Sequence, residues 1–173
     1  MSDLNGQQQA APPQPDRPQM QDYGIAAGSA GLMAWEWVVD QLSRSHSYWV
    51  CSTRPDGRPH AAPVWGVWAS GALCFGTGRQ SRKARNLIHS PEAVVHLESG
   101  DEVVILEGVL AELTDTALLA QVAAVYAAKY PPYKPDPHEP GSIWFILRPH
   151  TVFAWLESDF PNTATRWRFD NSG

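Results

Sequence analysis

Two periodicities alternate along this chain. In "LMAWEWVVDQLSRSH" the apolar positions Leu32, Trp35, Val38, Val39 and Leu42 recur at helical spacing and predict a helix with one buried face. From Tyr48 the period drops to two. Tyr48, Val50 and Ser52 alternate with Trp49, Cys51 and Thr53, so a strand is expected. "RPDG" places Pro and Gly where a tight turn favours them, and a second strand runs from Arg58 to Trp68. Pro59 and Pro63 cannot donate to a ladder, so this strand is expected to be irregular or at an edge. After the turn "ASGA", "LCFGT", "PEAVVHLES" and "EVVILEGVLAEL" read as further strands, with Gly108 marking a bulge or a barrel bend. "DTALLAQVAAVYAAKY" predicts a helix capped by Asp115, with Leu118, Leu119, Val122 and Val125 on one face. A Pro-rich loop, "PPYKPDPHEPG", precedes two more strands, "SIWFILRP" and "TVFAWLES", and "DFPNTATRWRF" ends the ordered part.

About seven strands, mostly joined as hairpins, with short helices between them, predict a mainly β, antiparallel barrel or sandwich. Residues 1–30 are rich in Gln, Pro, Ala and Gly and are expected to form a disordered tail. Residues 31–169 then make one domain with a C-terminal arm.

Composition narrows the function classes. Of the 173 residues 43% are hydrophobic and 18% charged, which suits a globular core. A net charge of -5 argues against general nucleic-acid binding, which usually shows as a pI above ~9. No apolar run approaches the ~20 residues of a membrane helix. The N-terminus has no basic start followed by an apolar stretch, so a cytoplasmic protein is expected. Cys51 and Cys74 lie in apolar runs and read as buried free thiols. None of the six His sits at metal-ligand spacing, so no zinc site is expected.

Against this acidic background, "GTGRQSRKARNLIHSP" gathers Arg79, Arg82, Lys83 and Arg85, four of only 13 Lys and Arg. Ser81 stands where a helix cap belongs, which puts Arg82 and Lys83 in the first turn. Cations there oppose the helix dipole at roughly 0.3–1 kcal/mol each when exposed. An anionic ligand reverses that balance, because helix starts offer unpaired N–H groups, Arg a bidentate fork and Lys a point charge. Arg82, Arg85 and Asn86 are spaced to share a face, and Gly76 and Gly78 let a backbone approach a ligand. A solvated basic helix is the other reading of the same spacing.

The order of these elements over residues 32–157 resembles the flavin-binding split β-barrel family, the pyridoxamine 5'-phosphate oxidase-like proteins. "SRKARNLIHSPEAVVHLE" is similar to the family's Ser-Arg-Lys, short helix and "P-x-V-x-L" run, and "STRPDGRPHAAPVW" resembles its first hairpin. The resemblance implies that Arg82 and Lys83 hold the cofactor phosphate, with Thr77 and Ser81 beside them. It implies that Ala61, Pro63, Val64 and Trp65 lie along the cofactor ring. "TATRWRF" looks like the ending of an actinobacterial branch that uses the deazaflavin coenzyme F420, with FMN as the alternative cofactor. The C-terminal Arg–His signature of true pyridoxamine phosphate oxidases has no counterpart here. A homodimer with cofactor sites at its interface is also implied.

With such a cofactor the protein supplies binding, orientation and exclusion of water, so no catalytic triad is required. Trp65, Trp68, Trp155 and Trp167 are candidates for flat walls beside the ring or for core and interface packing. His60 is a candidate proton donor or a hydrogen-bonded strand residue. Arg166 and Arg168 either reach an acidic part of a cofactor or stay solvated. The expected function is an oxidoreductase acting on a small organic substrate. The competing one is a carrier, store or sensor of flavin or haem without turnover.

Overall fold

A computed structural model describes residues 12–169. Helix α1 (Trp35–Arg44) leads into β1 (Tyr48–Thr53), β2 (Pro59–Val64), β3 (Val67–Ala69) and β4 (Ala72–Gly78). Then follow α2 (Arg82–His89), β5 (Glu92–His96), β6 (Glu102–Glu112), α3 (Thr116–Lys129), β7 (Ser142–Leu156), α4 (Phe160–Thr163) and β8 (Thr165–Arg168). All strand pairs are antiparallel, in the order β2-β1-β5-β6-β7-β4-β3, with β8 added to β7. The strands β2 and β3, neighbours in sequence, thus stand at opposite ends of the path, and the sheet is a split barrel. As the two prolines require, β2 lies at an edge.

Three strand boundaries differ from the sequence reading, each for a local reason. The run from Arg58 to Trp68 breaks at Gly66, whose backbone is clamped from outside. Its N–H donates to Tyr130 Oη (3.0 Å), and its carbonyl accepts from Tyr130 Oη (2.7 Å) and Lys129 Nζ (3.1 Å). Conversely, "SIWFILRP" and "TVFAWLES" form the single strand β7. The pairing register shifts between Glu107 and Gly108, so the extra residue His150 and the donor-less Pro149 are absorbed at one bulge. Gly108 is required there, since a Cβ would lie 2.8 Å from the Arg148 carbonyl oxygen. Finally, "TRWR" adds β8, which raises the strand number to eight.

Alternation along β4 and β7 feeds two cores. Phe75, Phe145 and Leu147 point into the barrel with Val50, Leu106 and Trp167, and α1 adds Val38 and Leu42. Cys74, Trp144 and Ile146 point the other way, onto Leu119, Val122 and Tyr126 of α3. Burial on both faces explains why these two strands read as continuous apolar runs rather than alternating ones. In α3 the buried face is Leu119, Val122 and Tyr126, while Val125, expected on it, is exposed roughly a quarter turn away. Asp115 caps α3 as expected, accepting from Leu118 N at 2.8 Å.

Of the expected tail, residues 1–11 lie outside the described residues, and parts of residues 12–30 are bonded to the C-terminal segment. Asp16 and Arg166 exchange two backbone hydrogen bonds of 2.8 Å. The Asp16 carboxylate also pairs with Arg166 (2.8 Å) and Arg168 (2.7 Å). Arg17 donates to the carbonyls of Gly28, Ala30, Asn162 and Ala164. Besides these two charged residues, Tyr23 meets Phe160 edge-on at 5.8 Å.

Candidate functional site

The basic segment is organised by its cap. Strand β4 ends at Gly78, Ser81 N–H donates back to the Gly78 carbonyl (2.9 Å), and α2 begins at Arg82. The Ser81 hydroxyl accepts from Ala84 N (3.2 Å) and lies 3.3 Å from the Thr77 hydroxyl. The first turn of α2 carries Arg82 and Lys83 and no acid, so two cations sit at the positive end of the helix dipole.

A buried contact sets where that turn points. Asn86 is fully buried, and its Nδ2 donates to Ser52 Oγ of β1 at 3.1 Å. Together with Ala84 and Leu87 it seats α2 against the turn end of the β1–β2 hairpin. In the hairpin register Ser52 stands opposite His60, and Arg54 follows one residue beyond β1. Arg54, His60, Arg82 and Lys83 therefore converge from two distant parts of the chain. Burial lowers the affinity of His60 for a proton, and the charges of Arg54, Lys83 and Arg82 lower it further. Among the described residues, Arg54, Arg82, Lys83 and Arg85 form no ion pair. Arg54 Nε and His60 Nδ1 are buried without any hydrogen-bond partner. Buried donors and acceptors left open in a field of three cations call for an anion to complete the site.

The other expected site residues separate into groups. Ala61 and Pro63 are exposed on the outer face of β2, a small, flat ledge leading away from the cluster. Trp65, 44% exposed, continues beyond it and stacks on Tyr130 at 4.8 Å and 3°. Val64 points inward and belongs to the core, so it supports the ledge without touching what lies on it. Arg85 is exposed on α2. Asn86 does not share a ligand face with Arg82, because its side chain holds the helix to β1. Arg79 leaves the cluster to pair with Glu112. Trp167 is a correction: 1% exposed, it packs edge-on against Trp35 at 5.4 Å inside the barrel and presents no wall to a ligand. Trp155 is another. It lies on β7 twelve residues beyond Ile143, the partner of Thr77, a strand contour of roughly 40 Å. Within the chain it meets Phe160 and Glu157 instead. Arg166 and Arg168 are occupied by Asp16. The sequence reading missed Arg54, whose place in the site depends on strand pairing; its one local signal is an arginine directly before the hairpin turn.

Chemically, the arrangement is a cationic pocket at a helix start beside a shallow apolar ledge. No group of three or more His, Cys, Asp or Glu among the described residues is placed to hold a metal ion. Both cysteines are free; Cys74 is buried and Cys51 half-buried. No helix among the described residues is long and apolar enough to cross a membrane.

No curated protein matches the chain. Among solved structures, a conserved hypothetical protein of Mycobacterium tuberculosis is similar at 22% identity and a TM-score of 0.64, covering 80% of this chain and 90% of that one. An F420 reductase is similar at 20% identity and a TM-score of 0.53, covering 65% and 93%. A haem storage protein of Vibrio cholerae is similar at 16% identity and a TM-score of 0.58, covering 70% and 95%. At these identities the likeness is one of fold, and that fold serves both redox and haem-binding proteins. The family model for pyridoxamine 5'-phosphate oxidase matches residues 34–156, which runs from the start of α1 to the end of β7 and includes the whole cationic pocket. The chain therefore belongs to the pyridoxamine 5'-phosphate oxidase family.

Proposed function

We propose that this protein is a flavin- or deazaflavin-dependent oxidoreductase that uses reduced coenzyme F420, with FMN as the alternative, to act on a small organic substrate. The observation that carries this reading is the unpaired cluster of Arg82, Lys83 and Arg54 at the Ser81-capped helix start, with Arg54 Nε and His60 Nδ1 left open. An anionic cofactor tail satisfies all of these groups at once. The residues fit such a group. Arg82 and Lys83 would take the phosphate with the free N–H groups of the first turn, and Ser81 and Thr77 would border it. The ledge of Ala61 and Pro63 would carry a planar ring. From Pro59 to Trp65 this edge extends over roughly 20 Å, enough for an elongated ligand.

The bound cofactor supplies the two-electron redox chemistry. What the chain contributes is binding, orientation and water exclusion. In the free chain, burial and three cations disfavour a charged His60, whose ring can then serve as a donor or an acceptor.

The reading includes a homodimer. The outer face of the sheet carries Trp49, Val94, Ile105, Phe153 and Trp155, all half-buried except at their outward edges, and it is continuous with the ledge of β2. A second copy on this face would cover it and roof the ledge. This also gives Trp155 a place near a cofactor, that of the partner copy.

The test mixes purified full-length protein separately with FMN, reduced coenzyme F420 and haem, followed by fluorescence quenching and by the Soret band. Tight binding of one flavin-type cofactor and its steady oxidation by a quinone or enone is expected. Tight haem binding with no flavin turnover would replace the proposal with a carrier or storage role. Arg82→Ala with Lys83→Ala is expected to weaken cofactor binding by about 3–6 kcal/mol, from two charge-assisted hydrogen bonds at ~1.5–3 each. An unchanged affinity refutes the site.

A further inference from the structure

Behind β4, on the side facing α3, lies a second cavity of about 270 Å³. The end of β4 borders both sites: Gly76, Thr77 and Gly78 line the cavity, Gly76 faces α3 and Trp144, and the Thr77 hydroxyl meets Ser81. The cavity walls are three aromatic rings set at steep angles. Tyr126 and Trp144 meet edge to face at 5.5 Å and 78°, and Tyr126 and Tyr133 at 6.0 Å and 62°. The missing side chain of Gly76 lets the indole lie on the strand; a Cβ there would come within 2.9 Å of Trp144 Cε2.

The mouth is formed by the Pro-rich loop and carries Asp136 and Glu139. Neither carboxylate forms an ion pair among the described residues. One oxygen of Asp136 accepts from His138 N (2.9 Å), which leaves the other free. The nearest basic residue of the upstream segment, Arg79, gives its backbone N–H to Gly141 (2.8 Å) but its guanidinium to Glu112, and so does not neutralise them. The loop is held in place by Tyr133 N–H on the Tyr130 carbonyl (2.8 Å) and by Ser142 on the Glu139 carbonyl (2.8 and 3.1 Å).

Tyr126 is the second observation that points to a ligand. It is only 5% exposed, it lines the cavity, and its hydroxyl forms no hydrogen bond among the described residues. Burial raises its proton affinity, so it stays a neutral hydroxyl. The hydroxyl is not one of the buried atoms left unpaired; it is open to the cavity and to a partner there.

We propose that this cavity binds a small organic cation, an alkylated ammonium, with Tyr126, Tyr133 and Trp144 as its walls and Asp136 and Glu139 as its counter-charges. Ring faces carry negative potential and attract cations whose alkyl groups also fill apolar space. An anion would meet two carboxylates, and a bare metal ion would find too few oxygen ligands among the rings. The site adjoins the cationic pocket at Thr77 and Gly78, and it does not rest on the cofactor reading.

Choline and its neutral isostere 3,3-dimethylbutan-1-ol are the probes, titrated calorimetrically into the full-length protein without added cofactor. Choline is expected to bind about tenfold more tightly than the neutral alcohol. Tyr133→Ala, at a 48% exposed loop position, and Glu139→Gln are each expected to weaken choline by about threefold or more without shifting the melting temperature. The protein with Arg82→Ala and Lys83→Ala is expected to keep choline binding unchanged, which separates this site from the cofactor site. Equal affinity for the two probes, no saturable choline binding, or its loss with Arg82 and Lys83 overturns the proposal.

Discussion

His60 reports the state of the cationic pocket. Its ring is disfavoured as a cation by burial first and by Arg54, Lys83 and Arg82 after it. Such a lowered value makes folding stability complete above the ordinary histidine range, near pH 6.5, and lowers it as pH falls from there toward the folded value. An anion in the pocket adds the opposite field, so FMN or inorganic phosphate is expected to raise the His60 pKa, read by NMR of the imidazole. Removing Arg82 and Lys83 by alanine should raise it in the free protein as well. No movement in either experiment would separate His60 from the site. At the same scale Gly76 is a packing constraint. Gly76→Ala pushes a Cβ into the buried Trp144 ring, and a loss of about 1–3 kcal/mol is expected in urea unfolding, as for overpacked cores.

At the level of elements, the end of α3 and the Gly66 turn form one unit. Lys129 Nζ donates to Tyr48 Oη (2.7 Å) and to the Gly66 carbonyl, and lies 4.8 Å from the Tyr48 ring centre. Burial lowers its pKa from 10.5 to about 8. The unfolded chain then binds more protons than the folded one above pH 8, so stability rises with pH from about 8. Above pH 10 the buried hydroxyls of Tyr48 and Tyr126, whose proton affinities are raised, reverse the trend. A rise between pH 8 and 10 that vanishes in Lys129→Met is the expected result of urea titrations at each pH. The N-terminal strap behaves in the same sense at lower pH, for a different reason. The Asp16 carboxylate is held below its usual range by its hydrogen bonds to Arg166 and by the charges of Arg166 and Arg168. Its stabilisation is present above the ordinary carboxylate value of 3.8 and is lost as pH falls through the folded value below it. Arg17→Ala removes the bonds to four carbonyls. Faster amide exchange in residues 162–166, with little change in the barrel strands, is expected by mass spectrometry.

Across the whole molecule the proposed dimer is the decisive question, because the ledge of β2 is exposed among the described residues. Phe153→Glu places a charge in the centre of the outer sheet face without touching the inner core. Sedimentation is expected to give a monomer for this variant and a dimer for the natural sequence, and the monomer should bind cofactor more weakly. A monomeric natural protein with full cofactor affinity would remove the second copy from the reading.

What the sequence determined by itself is local. Period two and period three to four located the strands and helices, Ser81 and Asp115 capped the helices they precede, and the prolines put β2 at an edge. The cluster of cations at α2 was visible because charge density needs no fold to be read. Tertiary structure alone decided the rest. Arg54 and His60 join Arg82 only through the pairing of β1 with β2 and the Asn86–Ser52 bond. Trp167 enters the core, and parts of residues 12–30 are bonded to the C-terminal segment, through contacts across some 150 positions of chain, such as Asp16 with Arg166. Short-range backbone preferences are written in neighbouring residues. Contacts between distant segments depend on which surfaces meet after the chain has closed, and no single stretch carries that information.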